Sequence, residues 1–497
     1  MRNRSRKKTG KVIAIVLLFV IVLVGVFFGV QFFTKTGIFR VPGVVYYGDG
    51  LNSEELGIFK GIFTEEVDLD KDVEIDAKNT LEKPILGEGE YIYNIYVPVT
   101  DFYSSETNLE VANVEELFDD SYQKTHSFEL IPISELDFSK KLLSINGQYY
   151  LDNFDTGAAY RVISLKSDKF EDEIEPLVAS VVKKVFPAKD TVLTFAQTGV
   201  TALSRGMNRR LGQVGGDASY FAAEIGPFLS NFDLTHTSNE SSFTDYATSE
   251  NICSDKRFID TLTAIGLDIV ELTGNHNQDC GNQAAIETID TYNAKGIKIV
   301  GGGKNAEEAA KPLEINQKNT GITMLAFNQS TGGATLGNTP GANQYYENVA
   351  ASQIKEAKAR GDFVIVDVQY YECSAYASEY EDPICDYANS SAGDQIGFFR
   401  HLIDLGADVV VGTSAHQAQT FELYEDGVIY YGLGNIFFDQ VWWPGTTRSL
   451  ILAHYFYNGK LLQTKLVPTV YGKDMQTKLL DSDTSKWWIE RLVKVRP

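Results

Sequence analysis

The chain opens on a hydrophobic run longer than a soluble helix requires. Residues 12–30 read VIAIVLLFVIVLVGVFFGV, nineteen positions without a polar interruption. At roughly 1.5 Å per residue, and extended by Phe32 and Phe33, such a run spans the hydrocarbon core of a bilayer. The preceding MRNRSRKKTGK carries six Lys or Arg and no acid. A basic flank stays on the cytoplasmic side. Residues 1–11 are therefore expected as a cytoplasmic tail, 12–33 as a transmembrane helix and the rest as extracytoplasmic. A cleaved signal peptide is the alternative, but its apolar region is normally shorter and ends in a small-x-small site. This run closes instead on Val30-Gln31-Phe32-Phe33.

Past a short linker at 34–42 the pattern changes. Between 44 and 188, GEYIYNIYVPVTDFY and KLLSINGQYYLD have the Ile, Val and Tyr content of strands. LNSEELGIFKGIF, VEELFDD and EDEIEPLVASVVKKVF have helical spacing. This predicts a smaller α/β domain, and VPVTDFYSS within it resembles one lobe of a periplasmic solute-binding protein. From 191 to 470 the chain repeats strand–turn–helix units such as FIDTLTAIGLDIVELTGNH, GDFVIVDVQYY and HLIDLGADVVVGTSAH. A C-terminal extension, 471–497, follows. In the second domain polar residues collect directly after the β-branched runs, at the carboxyl ends where α/β sheets build their sites. These clusters are Gln197-Thr198, Ser238-Asn239-Glu240, Asn275-His276 with Asp279, Gln369 with Glu372, Ser414 with His416, and Gly434-Asn435.

Charge narrows the partners. The net charge is −23, and the basic tail makes the remainder more acidic still. That excludes nucleic acid, which needs a basic face. An exported domain permits disulfides. Cys373 and Cys385 flank an acidic, Tyr-rich insert and are expected to pair, as are Cys253 and Cys280. No CxxC and no neighbouring His pair suggests a zinc site at these cysteines.

The order and spacing of the strand-end clusters carry a resemblance. IGLDIVELTGNHNQDCG, GGGKNAEEAAKP and GADVVVGTSAHQAQTFELYEDGVIYYGLGNIFFD resemble, in that order, three blocks of the CapA capsule-synthesis family, which is related to calcineurin-like metallophosphoesterases. The resemblance implies an αββα sandwich, preceded here by the transmembrane helix and the smaller α/β domain. It also implies a role in capsule or poly-γ-glutamate synthesis or export, with the membrane and the envelope polymer or its synthesis machinery as partners. Family sites hold two divalent metals at the strand ends, where a bridging hydroxide attacks phosphorus.

This chain departs from that pattern at its ligands. The family's Gly-Asp stands opposite Gln197-Thr198, and two of its histidines stand opposite Gln369 and Ser414. Glu240, Asn275 and His416 are retained as metal ligands, and His276 and Asp279 as the catalytic pair. Arg205 and Asn435 are the candidate ligand-binding residues. One carboxylate offsets two divalent cations poorly, so at most one Mn, Zn or Mg ion, or none, is expected. Three readings stay open: a non-catalytic polymer-handling module, a hydrolase with an altered ligand set, and a scaffold acting through its N-terminal domain. Gly301-Gly302-Gly303 reads as a tight turn rather than a phosphate loop, because the rest of a dinucleotide fingerprint is missing. Trp442 and Trp443 either rim a groove or pack in a core. His126, His236, His401 and His454 match no motif and read as structural.

Overall fold

In the N-terminal region the β-branched runs pair into a mostly antiparallel sheet. Strand β1 (Val45–Tyr47) is followed by helix α1 (Ser53–Ile62), then β2 (Val73–Thr80), β3 (Glu90–Asp101) and β4 (Ala159–Lys166). The strand order is β1-β2-β4-β3. Helix α1 starts where the sequence provides a capping box: Asn52 accepts from the Glu55 amide while Glu55 reaches back to the Asn52 amide. Its Phe59 packs on Ile75 and Ile163. The buried Glu55 carboxylate is neutralised by Arg161, with Nη2 2.6 Å away.

The computed structural model describes residues 45–63, 72–167, 188–329, 332–335, 337–370 and 393–497. The expected cytoplasmic tail, the transmembrane helix and the Cys373–Cys385 bridge lie outside them. No helix among the described residues is long and apolar enough to cross a membrane. The chain divides into two compact units, one comprising residues up to Tyr96 with 159–185, the other 97–158 with 186–497. Strand β3 passes from the first into the second after Tyr96. The segment that follows packs within the second unit: Phe102 and Tyr103 meet Phe421, and Gln463 bonds the Leu142 amide.

In the second unit two sheets lie face to face. One is built from β5 (Leu193–Thr201), β6 (Leu234–Asn239), β7 (Ile269–Glu271) and β8 (Lys298–Val300), with helices α2 (Gly206–Gln213), α3 (Ile259–Ala264) and α4 (Gly281–Ala294) interspersed. The other is built from β9 (Leu313–Gln317), β10 (Thr320–Asn328), β11 (Phe363–Gln369), β12 (Val409–Gly412), β13 (Phe421–Tyr424) and β14 (Gly427–Tyr430). Helices α5 (Glu347–Arg360) and α6 (Gly393–Asp404) flank β11 in sequence. Strands β15 (Asn435–Phe437), β16 (Arg448–Tyr457), β17 (Lys460–Tyr471) and β18 (Thr477–Leu479) return to the first sheet, and helix α7 (Ser482–Lys494) closes the chain. The orders are β8-β7-β6-β5-β16-β17-β18, with β15 also on β5, and β9-β10-β11-β12-β14-β13.

Strands β5 to β8 run parallel, as do β10, β11, β12 and β14. Parallel strands covered on both faces read as continuous apolar runs, as FVIVDVQ and VVVG do. Leu193, Phe195, Leu234 and Ile269 of the first sheet meet Ile322, Met324, Ile365 and Val409 of the second in one core. The outer face of the first sheet is covered by Met207, Leu211, Leu262 and Ile289 on its helices. The outer face of the second is covered by Ile354, Phe399 and Leu402. The order of layers is therefore helix, sheet, sheet, helix. Gly301 lets the sheets close near the site: its φ is +72°, and a Cβ there would stand 2.5 Å from Thr273 Cγ2 and 2.6 Å from Ala326 Cβ.

Candidate functional site

The parallel strands point their carboxyl ends the same way, so the residues just past them gather at one end of the sandwich. Glu240 follows β6 and is buried, its amide bonded to Thr201 O at 2.9 Å. Gly274 presses against it, since a Cβ at Gly274 would lie 2.8 Å from Glu240 Cα. The turn after β7 then presents Asn275 and His276. From β11, Gln369 Nε2 lies 3.3 Å from Asn275 Oδ1 and 3.2 Å from Ser414 Oγ beyond β12. Asn275 and Ser414, both partly exposed, thus rim one cleft, with Gln369 buried at its floor and Glu240 buried behind Gly274.

His416 sits at the side of this cleft, with Nδ1 2.9 Å from Asn435 Oδ1. The Asn435 amide nitrogen donates to Gln440 Oε1 and Thr446 O, both at 3.1 Å, so its oxygen faces the imidazole as acceptor. His416 therefore carries its proton on Nδ1. Burial pushes its pKa down to about 4, against the opposing effect of the Asn435 bond; the nearby His276 and Arg205 lower it further. It is neutral at pH 7. Asn435 is aimed by the turn before it: Gly434 has φ +77°, and a Cβ there would meet Ala418 N at 2.7 Å.

His276 is more open, with 30 % of its side chain exposed, and its Nδ1 lies 2.7 Å from Asp279 Oδ2. Asp279 orients the imidazole, an arrangement suited to proton transfer. Arg205 reaches in from the start of α2 with a positive backbone φ of 51°. Its guanidinium binds Asp439 at 2.6 Å and lies over the Phe438 ring, which also neighbours His416. Trp442 remains more than half exposed, and Trp443 lies against it in the loop that begins at Asp439.

Of the three positions expected to replace ligands, two meet and one does not. Gln369 and Ser414 share a hydrogen bond. Thr198 turns its hydroxyl to His236 O and Thr237 Oγ1, on the helix-covered side of the sheet. Gln197 faces inward, so Thr198 faces out by ordinary alternation; the register shift that follows, in which Gln197 pairs with His236 but Val200 with Ser238, then turns Val200 inward. Val200 is also the residue opposite Asn435, and it clusters with Phe438. The first strand thus offers the cleft an apolar side chain, a placement that strand periodicity without the bulge does not give.

The donors present do not suit a pair of divalent ions. Asn275, Gln369 and Ser414 are neutral and are joined by hydrogen bonds through Gln369. Among the described residues no three His, Cys, Asp or Glu side chains are arranged to hold a metal.

Sequence reasoning missed a second polar group lying deeper between the sheets. Gln197, His236, Glu271, Asp367 and His454 are all fully buried. Gln197 Nε2 donates to Asp367 Oδ1 at 2.6 Å, and His236 Nε2 stands 3.2 Å from Asp367 Oδ2. His454 bonds Thr464 Oγ1 at 2.8 Å and Gln197 Oε1 at 3.3 Å. Burial holds its pKa at about 3. Glu271 accepts from the Thr273 amide and hydroxyl; burial first, and Asp367 second, push its pKa up. The signal was an acid at an inward position of an otherwise apolar run, as in FVIVDVQ.

The expected pair Cys253–Cys280 is bridged, with Cα atoms 5.9 Å apart. It ties the loop after β6 to the residue before α4. The glycines at 301–303 serve close packing, with Gly302 against Leu272 and Gly303 against the Ala309 amide.

Residues 194–440 match the family described as "Bacterial capsule synthesis protein PGA_cap". The capsule biosynthesis protein CapA of Bacillus anthracis is 23% identical over 319 residues, covering 59% of this chain and 74% of that protein. The PGA biosynthesis protein CapA of Bacillus subtilis (strain 168) is 27% identical over 286 residues, covering 56% and 71%. Among solved structures, TT1561 of Thermus thermophilus aligns with 54% of this chain and 99% of its own. Its TM-score is 0.30 at 9% identity, too slight to carry an argument.

Proposed function

This chain belongs to the CapA capsule-synthesis family, and from that premise we infer that it handles an envelope polymer of the capsule or poly-γ-glutamate kind without hydrolysing phosphoesters. The carrying observation is the cleft floor, where Gln369 bridges Asn275 and Ser414 at 3.3 and 3.2 Å. Amides and a hydroxyl in this arrangement hydrogen-bond a carbonyl-rich chain; they do not supply the charge that two divalent ions demand. In this reading the segment 12–33 anchors the protein with its bulk outside the cytoplasm, and the cleft faces the polymer or its synthesis machinery. The His276–Asp279 pair, half-open and 2.7 Å apart, favours the second reading, a hydrolase with an altered ligand set.

The test uses the full chain in detergent, assayed on a generic phosphomonoester and phosphodiester with Mn²⁺, Zn²⁺ or Mg²⁺, alongside its metal content. No metal-dependent turnover is expected. Turnover of about 10 s⁻¹, abolished by His276→Ala, would overturn the non-catalytic reading. Topology is tested separately by proteolysis of intact spheroplasts, in which residues beyond 45 should be cut; full protection would reverse the orientation. A restoration experiment probes the cleft itself. Val200→Asp with Gln369→His and Ser414→His should gain tight Zn²⁺ or Mn²⁺, while Thr198→Asp in place of Val200→Asp should not.

A further inference from the structure

The second unit contains a cavity of about 650 Å³ that shares no lining residue with the cleft. It opens between the segment after β3, strand β17 and helix α7. That volume is in the range of small-molecule sites. Phe102, Phe138, Leu466 and Ile489 give it an apolar floor continuous with the core between the sheets. Gln463 stiffens one wall, bonding the Leu142 amide, Asp137 O and Lys140 O.

Four lysines line the cavity, and three are matched by acids. Lys140 pairs with Glu129 at 2.5 Å, Lys465 with Asp152 at 2.8 Å and Lys486 with Glu106 at 2.6 Å. Lys141 differs. Its Nζ donates to Ser104 O at 2.7 Å, and among the described residues it makes no ion pair. Lys141 is only partly exposed, and an ammonium in that setting without a direct counter-ion is costly. The groups facing it are Glu106, from the segment after β3, and Lys486, from α7, and these oppose each other. Burial dominates and pushes the Lys141 pKa down to about 8. Glu110 and Asp483 also line the cavity.

We propose that this cavity binds an organic monocarboxylate with an apolar body, its carboxylate received by Lys141 and its apolar part covered by Phe102, Phe138 and Ile489. The bound anion supplies the charge that the fold withholds from Lys141, and the aromatic floor selects against small hydrophilic anions. The site is independent of the cleft and of any reading of it.

The experiment is competitive acetylation of the full chain with acetic anhydride near pH 8, read lysine by lysine by mass spectrometry. The probe is 4-phenylbutanoate, and 4-phenylbutanamide is its uncharged counterpart. The carboxylate should slow Lys141 acetylation roughly tenfold at about nine-tenths occupancy, leaving exposed Lys295 unchanged. Ile489→Phe, which fills the floor, should abolish that protection. Equal Lys141 rates with and without the carboxylate would overturn the proposal, as would equal protection by the amide. Protection that survives Ile489→Phe would place the anion outside the cavity and overturn it as well. If that variant does not fold, the carboxylate–amide comparison on the unaltered chain decides.

Discussion

The cleft and the layer beneath it have exchanged the chemistry expected of each. At the strand ends, where the family resemblance calls for carboxylates and imidazoles, Val200, Gln369 and Ser414 are uncharged. Deeper on the same strands, where an apolar core is the norm, Asp367, Glu271, His236 and His454 are fully buried. The difference separates two meanings of a polar residue at a strand end. In the cleft Asn275, His276 and Ser414 are partly exposed, and the buried Gln369 holds its neighbours only at 3.2 and 3.3 Å, so a ligand can replace those bonds at small cost. In the buried layer they cannot reach water, so each depends on its neighbours. Residue type alone does not identify a site; access decides what a polar group can do.

Removing a member of the buried layer is the harshest way to break this contrast. Asp367→Ala leaves Gln197 without its acceptor and His236 without its neighbouring carboxylate, and is expected to cost about 3–5 kcal/mol, read from urea unfolding. A loss comparable to a surface substitution would mean that water reaches the layer. The disulfide comes next. Cys253→Ala with Cys280→Ala should lower stability by about 3 kcal/mol on the chain-entropy account, and intact mass before and after reduction establishes the bridge beforehand.

Acid exposes the buried layer more gradually. A histidine whose folded pKa is depressed contributes stability that is complete above the unfolded value of about 6.5 and is lost as pH falls toward the folded one. His454, held at about 3, should therefore weaken the fold between pH 6.5 and 3, and His416, held at about 4, adds to this. The raised Glu271 acts in the opposite sense, because its protonated form is the favoured one when folded. His454→Gln should reduce the stability lost between pH 7.5 and 5 by on the order of 2 kcal/mol. An unchanged acid limb would remove His454 from that account. The smallest effect belongs to the cleft: Ser414→Ala deletes one bond to Gln369 and should cost about 1 kcal/mol or less. A loss as large as that of Asp367→Ala would erase the distinction between the two regions.

The legible part of the fold was the part governed by local periodicity. Runs such as FVIVDVQ and VVVG became parallel strands, and GVIYYGLGN became a strand and a turn, because apolar continuity and glycine act over a few residues. The capping box at Asn52 was equally local in its cause. Asn275, His276, Asp279, Ser414 and His416 could be placed at strand ends because the family blocks keep their order. Val200 could not be placed, because the bulge after Gln197 turns it to the inner face, and a one-residue slip reverses which side chain meets the site. Cys253 and Cys280 could be named as a pair, but their proximity depends on a loop and a helix start brought together by the sheet.

By itself the sequence determined the family, the strand–turn–helix order and the acidic character of the chain. These follow from residue identity and short-range spacing. Only the tertiary structure decided that residues 97–158 pack with the second unit, that Val200 rather than Thr198 turns inward, that a polar layer lies between the sheets, and that Lys141 lines a cavity with no ion pair among the described residues. Each of these depends on groups far apart in the chain, such as Gln197 with Asp367 and Leu142 with Gln463. Pairings of that kind are fixed by how two sheets share one buried face, which no local pattern records.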